Sequence, residues 1–542
     1  MNNIQLVILM AGKATRLYPL TLGFPKCLLS VRQKPSIYNM IVPLINKGLN
    51  DITLVVSNEN KDVIEMFMNN SFKHKDVTFH YIVQDIPDGP GGALKLVAPK
   101  IHKPTLLLLG DTLCEVPNDF SNSWIGTCKV NPKTVSSWCM IEHDENNKII
   151  DCIDKPEHKV NTIEAAIGIY FFKDAKLLKK VLTKKIKKIK NEYQLSSIFD
   201  NYRQKEDMYI HNFEHWEDIG TLENYRQTNS QNFNCRYFNK LKINRLGTIN
   251  KKSSFEKISS EINWFEKVKD TPFECLAPRV FKTNKVSSYE MEYYDYLTLS
   301  EYNTFYPIND DNKQYIFSEL IKMLYPIYEK NKQDINIYNL ARSIYYDKTI
   351  YRINKWTRKD LIDKDYIKVN NVELVGLKKC LQLLTPSIEK ICETSVNYNS
   401  IIHGDLSFAN ILYSPRNSIF RLLDPRGNFG EDSIYGDYRY DLAKLRHCYH
   451  GRYDEITNDL FEIIESDEIS LTFYKDNNYE LFDEILKIYK VDINDIELIE
   501  GLLFISMIPL HIDYPSRQLA FFIRGLTCLN SQINRRNLNE NN

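Results

Sequence analysis

The first 228 residues predict an α/β fold with a mostly parallel sheet. Residues 4–10 ("IQLVILM"), 51–57 ("DITLVVS") and 105–111 ("TLLLLGD") are short apolar runs of strand type, and "AAIGIYFF" (165–172) is a fourth. Between the first two lies "SIYNMIVPLINKGL" (36–49), with apolar residues at helical spacing and Gly48 near its end. Folds of this kind bind ligands beyond the carboxyl ends of their strands. The loop after residue 10 and Asp111 both fall there.

The pattern changes near residue 228. "RQTNSQNFNCRYFNKLK" is polar and Asn-rich, as a linker would be. Beyond it the chain is rich in Tyr, Asn and Lys and mainly helical in pattern. The expected organisation is a first domain over 1–228, a linker over 229–244, a second domain over 245–534 and a disordered tail over 535–542. No internal repeat is found.

At 542 residues the chain exceeds one ordinary core, so two or three domains are expected. Lys+Arg and Asp+Glu both total 70, and this balance argues against a nucleic-acid partner. Eleven cysteines without a CxxC pair favour neither a zinc ribbon nor a disulfide framework, and fit reduced thiols. "GLLFISMIPLHI" near residue 501 is too short to span a bilayer and reads as a core helix. The N-terminus reads as a strand, not a signal peptide, so a cytoplasmic protein without a membrane span is expected. "KLLKKVLTKKIKKIKNEY" (176–193) reads as an amphipathic helix with a solvated basic face rather than a membrane or nucleic-acid helix.

Several residues of the first domain suit phosphate chemistry. The loop Ala11-Gly12-Lys13-Ala14 lets backbone N–H groups approach phosphate oxygens closely. Arg16 and Lys26 could neutralise the charge that builds when a phosphate is attacked, and Asp111, ending a strand, could hold Mg²⁺ with Asp218. Taken singly, each has a plainer reading: Gly12 as a turn, Asp111 as a cap, Asp218 as a helix N-cap.

In order along the chain, "MAGKATRLYPLT", "PKCLL", "KPSIYNMI", "QDIPDGPGGAL", "LLGDT", "IDKP", "AAIGIY", "NEYQL" and "WEDIGTLENY" resemble the sugar-phosphate and alcohol-phosphate nucleotidyltransferase family. The resemblance covers nearly all of residues 4–228 and implies a Rossmann-like domain. It implies that the nucleotide phosphates lie on the loop 11–16, with Ala11, Gly12 and Lys13. Gln84, Gly89 and Gly92 would face the base and ribose, and Arg16 and Lys26 would grip phosphates. Asp111 and Asp218 would hold Mg²⁺, Lys155 would contact the acceptor phosphate, and Glu192 would lie on the acceptor side. The implied reaction is attack by a phosphate monoester oxygen on the α-phosphorus of a nucleotide, with release of pyrophosphate. Two departures stand out: Ala14 occupies the place of the family's second loop glycine, and the family's "EKP" is Asp154-Lys155-Pro156.

"IIHGDLSFANILYS" (401–414) and "FRLLDPRGNFG" (420–430) carry a second constellation. Phosphoryl transfer from ATP needs an orienting base and Mg²⁺ ligands, and Asp405, Asn410 and Asp424 on two neighbouring loops could supply them. The two motifs resemble the aminoglycoside-phosphotransferase and choline-kinase superfamily, implying a bilobal α+β protein-kinase-like fold over 245–534. Upstream, "LGTINKKSSFEKISSEINWFEKV" resembles the small lobe. The phosphate-gripping lysine would be Lys251 or Lys252, and its partner Glu261, with Glu256 as the alternative. "YEMEYYDYLTLSEY" would be the hinge. Asp405 would take or orient the substrate proton, Asn410 and Asp424 would bind Mg²⁺, His403 would buttress the loop and Asp441 would anchor it. Gly247 alone stands where a glycine-rich cover is expected.

A kinase makes phosphate monoesters and a nucleotidyltransferase consumes them. Together they imply small-molecule substrates, Mg²⁺ in both domains, ATP and a second NTP, with CTP favoured before UTP or dTTP. The expected product is a nucleotide-diphospho building block for surface polysaccharide. The alternative is an active sugar-1-phosphate nucleotidyltransferase with a non-catalytic kinase-like binding or regulatory domain. A homo-oligomer is left open.

Overall fold

A computed structural model of the chain describes residues 1, 3–18, 20–21, 24–32, 34–72, 75–158, 160–184, 188, 191–231, 240–243, 247–284, 288–306, 308–427, 433–474 and 478–540. The chain divides into two compact units, Met1–Asn234 and Cys235–Asn542. Much of the expected linker, residues 232–239 and 244, lies outside the described residues.

The N-terminal unit is built on a mixed sheet of nine strands among the described residues. Its parallel half runs Thr78–Val83, Asp51–Val56, Gln5–Leu9, Thr105–Leu109. Gln5–Leu9 is buried at every position, as a strand covered on both faces must be. Glu164–Phe172 then pairs antiparallel with Thr105–Leu109 and carries Ser123–Lys129 and Cys139–His143 on its far side. The helix Ser36–Asn46 returns the chain from the first strand. It stops where Gly48 takes φ 87° and the N–H groups of Gly48 and Leu49 close back on Ile45 and Leu44.

From Gln5–Leu9 the chain builds outward to Thr78–Val83, then crosses back to place Thr105–Leu109 on the other side of the first strand. Strand order thus reverses between these two neighbours, the point at which such sheets open a crevice. Register pairs Leu9 with Leu109, and Gly110 N donates to Leu9 O at 3.0 Å. Loop 10–16 and Asp111 therefore leave the sheet side by side.

The basic helix covers Ala175–Thr183, ending short of residue 193. Residues 185–187 and 189–190 lie outside the described residues. Its Asp174 side chain caps Leu177 N, and Leu178, Val181 and Leu182 are its buried face.

The C-terminal unit begins with a four-stranded antiparallel sheet ordered Lys240–Ile243, Thr248–Lys252, Ser288–Glu292, Val280–Asn284. The helix Phe255–Lys267 interrupts it and buries Ile258, Glu261, Ile262, Trp264 and Phe265. A small sheet follows, in which Ile411–Ser414 pairs with Leu297–Thr298 and Ile419–Leu422. Long helices complete the unit: Asp310–Lys330, Leu377–Thr394, Arg439–Tyr449, Ile493–Met507 and Pro515–Glu540. The last extends to Glu540, into the stretch the sequence reads as a tail. The apolar run near residue 501 is the buried helix Ile493–Met507, packed against Pro515–Glu540. Among the described residues no helix is long and apolar enough to cross a membrane, and the described cysteines are free thiols.

Candidate functional sites

In the N-terminal unit, the ends of two parallel strands bring a cation and two carboxylates together. Lys26, on a single helical turn Lys26–Leu28, places Nζ 2.5 Å from Asp111 Oδ2. Asp218 arrives from the strand Glu217–Asp218, which pairs with Thr112–Leu113 so that Asp218 lies opposite Thr112, next to Asp111. Its neighbour Glu217 holds that strand through Arg32, whose Nη2 donates to both carboxylate oxygens at 2.8 Å. Asp218 accepts from Gly220 N at 2.7 Å and from Asn224 Nδ2 at 2.8 Å.

A Cβ on Gly220 would sit 2.7 Å from Asp218 Oδ1 and 3.4 Å from Asp111 Oδ2, so both carboxylates face one small space kept open by that glycine. Burial, then the charge of Asp111, pushes the Asp218 carboxyl up despite its hydrogen bonds and Lys26. Two repelling carboxylates over a gap fit a divalent cation, and Mg²⁺ is held by one or two protein carboxylates with substrate phosphates.

Beside them, Gly12 and Lys13 are exposed, and a Cβ on Gly12 would meet nothing within 4 Å. Ala11 is buried and roots the loop, while Arg16 is exposed and makes no ion pair among the described residues. Ala14 adopts φ 49°, ψ 37°, a left-handed conformation that explains why glycine suits this position. Its carbonyl accepts from Thr21 Oγ1 at 2.9 Å and from Leu17 N at 3.0 Å.

Gln84 is buried and donates from Nε2 to Asp88 Oδ1 and to Gly89 O. The glycines that follow have packing reasons of their own. A Cβ on Gly89 would lie 2.7 Å from Tyr193 O, one on Gly91 2.6 Å from the same atom, and one on Gly92 1.9 Å from Asp88 Oδ1. Gly92 is buried against Asp88, so its lack of a side chain serves that contact. Glu192 is exposed and lies against Gly89, its Oε2 accepting from Gln194 Nε2. Lys155 is exposed with φ 46°, and its N–H donates to Trp138 O. Trp138 packs edge-on to Trp216 at 5.2 Å, and Trp216 immediately precedes Glu217-Asp218 in the chain.

The C-terminal unit holds a second charge cluster. Lys251 on Thr248–Lys252 is buried, whereas Lys252, the next residue on a strand, points to solvent. Lys251 Nζ lies 2.9 and 2.7 Å from the Glu261 oxygens and 2.5 Å from Asp424 Oδ1. Glu261 is buried on the helix Phe255–Lys267 and also accepts from Tyr289 OH, while Glu256 is exposed. Burial pushes Asp424 up, but the Lys251 and Lys257 ammonium groups outweigh it and hold the carboxyl below the usual range.

Asn410 Nδ2 donates to Asp405 O at 2.8 Å and reaches Asp405 Oδ2 at 3.3 Å. A carbonyl can only accept, so the Asn410 amide is oriented and its oxygen remains a hard donor of the kind Mg²⁺ takes, near Asp424. Asp441 accepts from His403 N, Gly404 N and Tyr328 OH, fixing the loop from below. Asp405 N–H donates to His403 Nδ1, so Nε2 carries the proton and donates to Leu423 O at 2.9 Å. His403 thus ties the loop of Asp405 to the strand end before Asp424. The sequence reading missed Lys444, whose Nζ lies 3.2 Å from Asp405 Oδ1. Its signal was its place three residues after Asp441, on the same helix face.

Residues 5–234 match the family model described as nucleotidyl transferase. The N-terminal unit is a nucleotidyltransferase domain. Similar curated proteins include a glucose-1-phosphate thymidylyltransferase of Xanthomonas campestris pv. campestris, 29% identical over 175 residues, covering 31% of this chain and 59% of that protein. A mannose-1-phosphate guanyltransferase of Saccharomyces cerevisiae is 34% identical over 176 residues, covering 30% of this chain and 48% of that protein. The chain spans about half the length of these relatives. A solved UDP-glucose pyrophosphorylase complexed with UDP-glucose aligns at TM-score 0.37 and 21% identity, over 42% of this chain and 97% of that one. In this nucleotidyltransferase domain Asp88, Gly91, Tyr193 and Gly220 escaped the sequence reading, because each acts through a contact distant in sequence or through an absent side chain.

Proposed function

We propose that the chain is a bifunctional enzyme. Its C-terminal unit phosphorylates a hydroxyl of a small molecule with ATP. Its nucleotidyltransferase domain then joins the resulting phosphate monoester to a nucleotide and releases pyrophosphate. CTP is the favoured nucleotide, and the product would be an activated building block for surface polysaccharide.

The observation that carries the first activity is the meeting of Lys26, Asp111 and Asp218 at the sheet's switch point. Loop 11–16 would receive the triphosphate on backbone N–H groups, with Arg16 and Lys26 opposing its charge. Gln84 would face the base, Lys155 the acceptor phosphate, and Glu192 the acceptor side. Mg²⁺ held by Asp111 and Asp218 would neutralise phosphate charge. No protein nucleophile is required, because positioning two anions is the main task.

The second activity is supported by the pairing of Lys251 with Glu261 and Asp424, and by Asp405 beside Asn410. This arrangement suits a bilobal kinase-like fold: Lys251 would grip ATP phosphates, and Asn410 and Asp424 would hold Mg²⁺. Asp405 would accept the acceptor's hydroxyl proton.

The test is pyrophosphate release with CTP, UTP, dTTP and GTP, alongside ATP consumption with candidate acceptors. Asp405→Asn should stop ATP-dependent phosphorylation and spare pyrophosphate release when the phosphate monoester is supplied. Pyrophosphate release that survives Asp111→Asn together with Asp218→Asn would overturn the first assignment.

A further inference from the structure

Resting on the phosphotransferase reading above, we propose that Lys257 is a second phosphate-binding cation of the C-terminal unit. When Asp424 takes Mg²⁺, the Lys257 ammonium would leave that carboxylate for the terminal phosphates of ATP.

Four charged side chains meet here, and the group has a closed side and an open side. The side chains of Lys251 and Glu261 are 2% and 1% exposed, whereas those of Lys257 and Asp424 are 28% and 31% exposed. A nucleotide arriving from solvent therefore meets Lys257 and Asp424 first. Both oxygens of Asp424 face an ammonium: Oδ1 is 2.5 Å from Lys251 Nζ, and Oδ2 is 3.5 Å from Lys257 Nζ. Lys257 Nζ also lies 3.6 Å from Glu261 Oε1.

Helix stability does not account for a lysine at this position. Lys257 is the third residue of the helix Phe255–Lys267, in the first turn, where the helix dipole favours anions and opposes a cation. It precedes Glu261 by four residues, and a cation N-terminal to its anion is the weaker order for a pair at that spacing. Its contacts at 3.5 and 3.6 Å are also longer than charge-assisted hydrogen bonds, which run about 2.7–2.9 Å. Residues that break local rules in this way concentrate at functional sites.

For Asp424 to ligate Mg²⁺, one of its oxygens must give up its ammonium, because two cations on one oxygen repel. Lys251 is the less able to leave, being buried and bonded to both Glu261 oxygens at 2.9 and 2.7 Å. Lys257 has the longer contact, the open position and a flexible four-carbon stem. The anions nearest to a metal on Asp424 would be the β- and γ-phosphates, which such ions bridge. Lys257 would turn onto those oxygens. Between the strands Lys240–Ile243 and Thr248–Lys252 the sequence has one glycine, Gly247, so a glycine-rich backbone cover is lacking and a side-chain cation takes its place.

The test is calorimetric titration of the full chain with ATP, ADP and adenosine in the presence of Mg²⁺. Asp111→Asn together with Asp218→Asn is the background, so that Mg²⁺-dependent binding is read at the C-terminal unit. In that background Lys257→Gln should weaken ATP and ADP about tenfold and leave adenosine within about twofold. Lys257→Arg keeps the charge and should hold ATP affinity within about threefold of the background. A lysine that served only the fold would weaken all three ligands alike. ATP affinity unmoved in Lys257→Gln, or lost in equal measure with that of adenosine, overturns the inference and leaves the phosphotransferase reading standing. ATP binding that is absent from the background, or indifferent to Lys251→Met within it, removes that reading and the inference with it.

Discussion

Lys251 and Asp424 are 173 residues apart in the chain, yet Nζ and Oδ1 stand 2.5 Å apart, with Glu261 closing the triad at 2.7 Å. One buried ammonium thus neutralises two carboxylates carried by different elements. Lys251→Met leaves those carboxylates facing only Lys257, 3.6 Å from Glu261 and 3.5 Å from Asp424, at a cost of about 3 kcal/mol in the stability of the C-terminal unit. ATP-dependent phosphorylation should fall by about 100-fold or more. Pyrophosphate release by the N-terminal unit should not change. Assaying both activities on one preparation checks this, and equal loss of both would contradict it.

Asp218 titrates above the usual carboxylate range because of burial and the charge of Asp111. Its folded form therefore holds a proton more tightly than its unfolded form, so stability from this group is present at low pH and lost as pH rises. Mg²⁺ needs the ionised form, and its affinity should weaken with acidification at a higher pH than an ordinary aspartate would require. Melting temperatures with and without Mg²⁺ at about pH 5 and about pH 7.5 measure this. Asp218→Asn should abolish the Mg²⁺-dependent rise of the N-terminal transition.

His403 and Asp441 are buried neighbours with opposite pH dependence. Burial pushes His403 down to about 4 and Asp441 up to about 6. Between about pH 4 and 6 the unfolded chain protonates the histidine more, so that group adds stability as pH rises. In the same window the folded chain protonates Asp441 more, so that group loses stability as pH rises. The two slopes nearly cancel in the parent. His403→Gln should lose about 2 kcal/mol across the window as pH rises, and Asp441→Asn should gain a similar amount. Denaturant unfolding of each variant at both ends of the window reads the sign directly.

Ala14 and Gly91 test the backbone of the nucleotide side. Ala14→Val places a β-branched residue in a left-handed conformation and should cost about 1–2 kcal/mol, with a matching loss of pyrophosphate release. Ala14→Gly should be tolerated. Gly91→Ala sets a methyl 2.6 Å from a backbone carbonyl of Tyr193, which cannot swing aside. The start of the helix Pro90–Leu96 should shift and weaken nucleotide binding, read as a raised KM for the NTP with the helix content unchanged.

Much of the N-terminal architecture was legible because it rests on local pattern. Apolar runs such as "TLLLLGD" and the helical spacing of 36–49 mark strands and a helix whatever surrounds them. In the basic segment the helix ends at Thr183 with Lys184 as its C-cap, a boundary that Lys-rich spacing, which describes only a face, does not mark. Site residues with charged side chains, Lys26, Asp111 and Asp218, could be named from their order along the chain. Residues that act by lacking a side chain, such as Gly220, could not.

By itself, then, the sequence determined the alternation of strands and helices, the zero net charge and the chemical types available for two clusters of charged side chains. Only the tertiary structure decided which of two adjacent lysines turns inward, because strand facing depends on register with Ser288–Glu292 and on the helix that Lys251 meets. It alone set Lys444 against one oxygen of Asp405 and Asn410 against the other. Such placements follow from close packing between segments far apart in the chain, where distances of a few ångströms decide electrostatics and no local pattern records them.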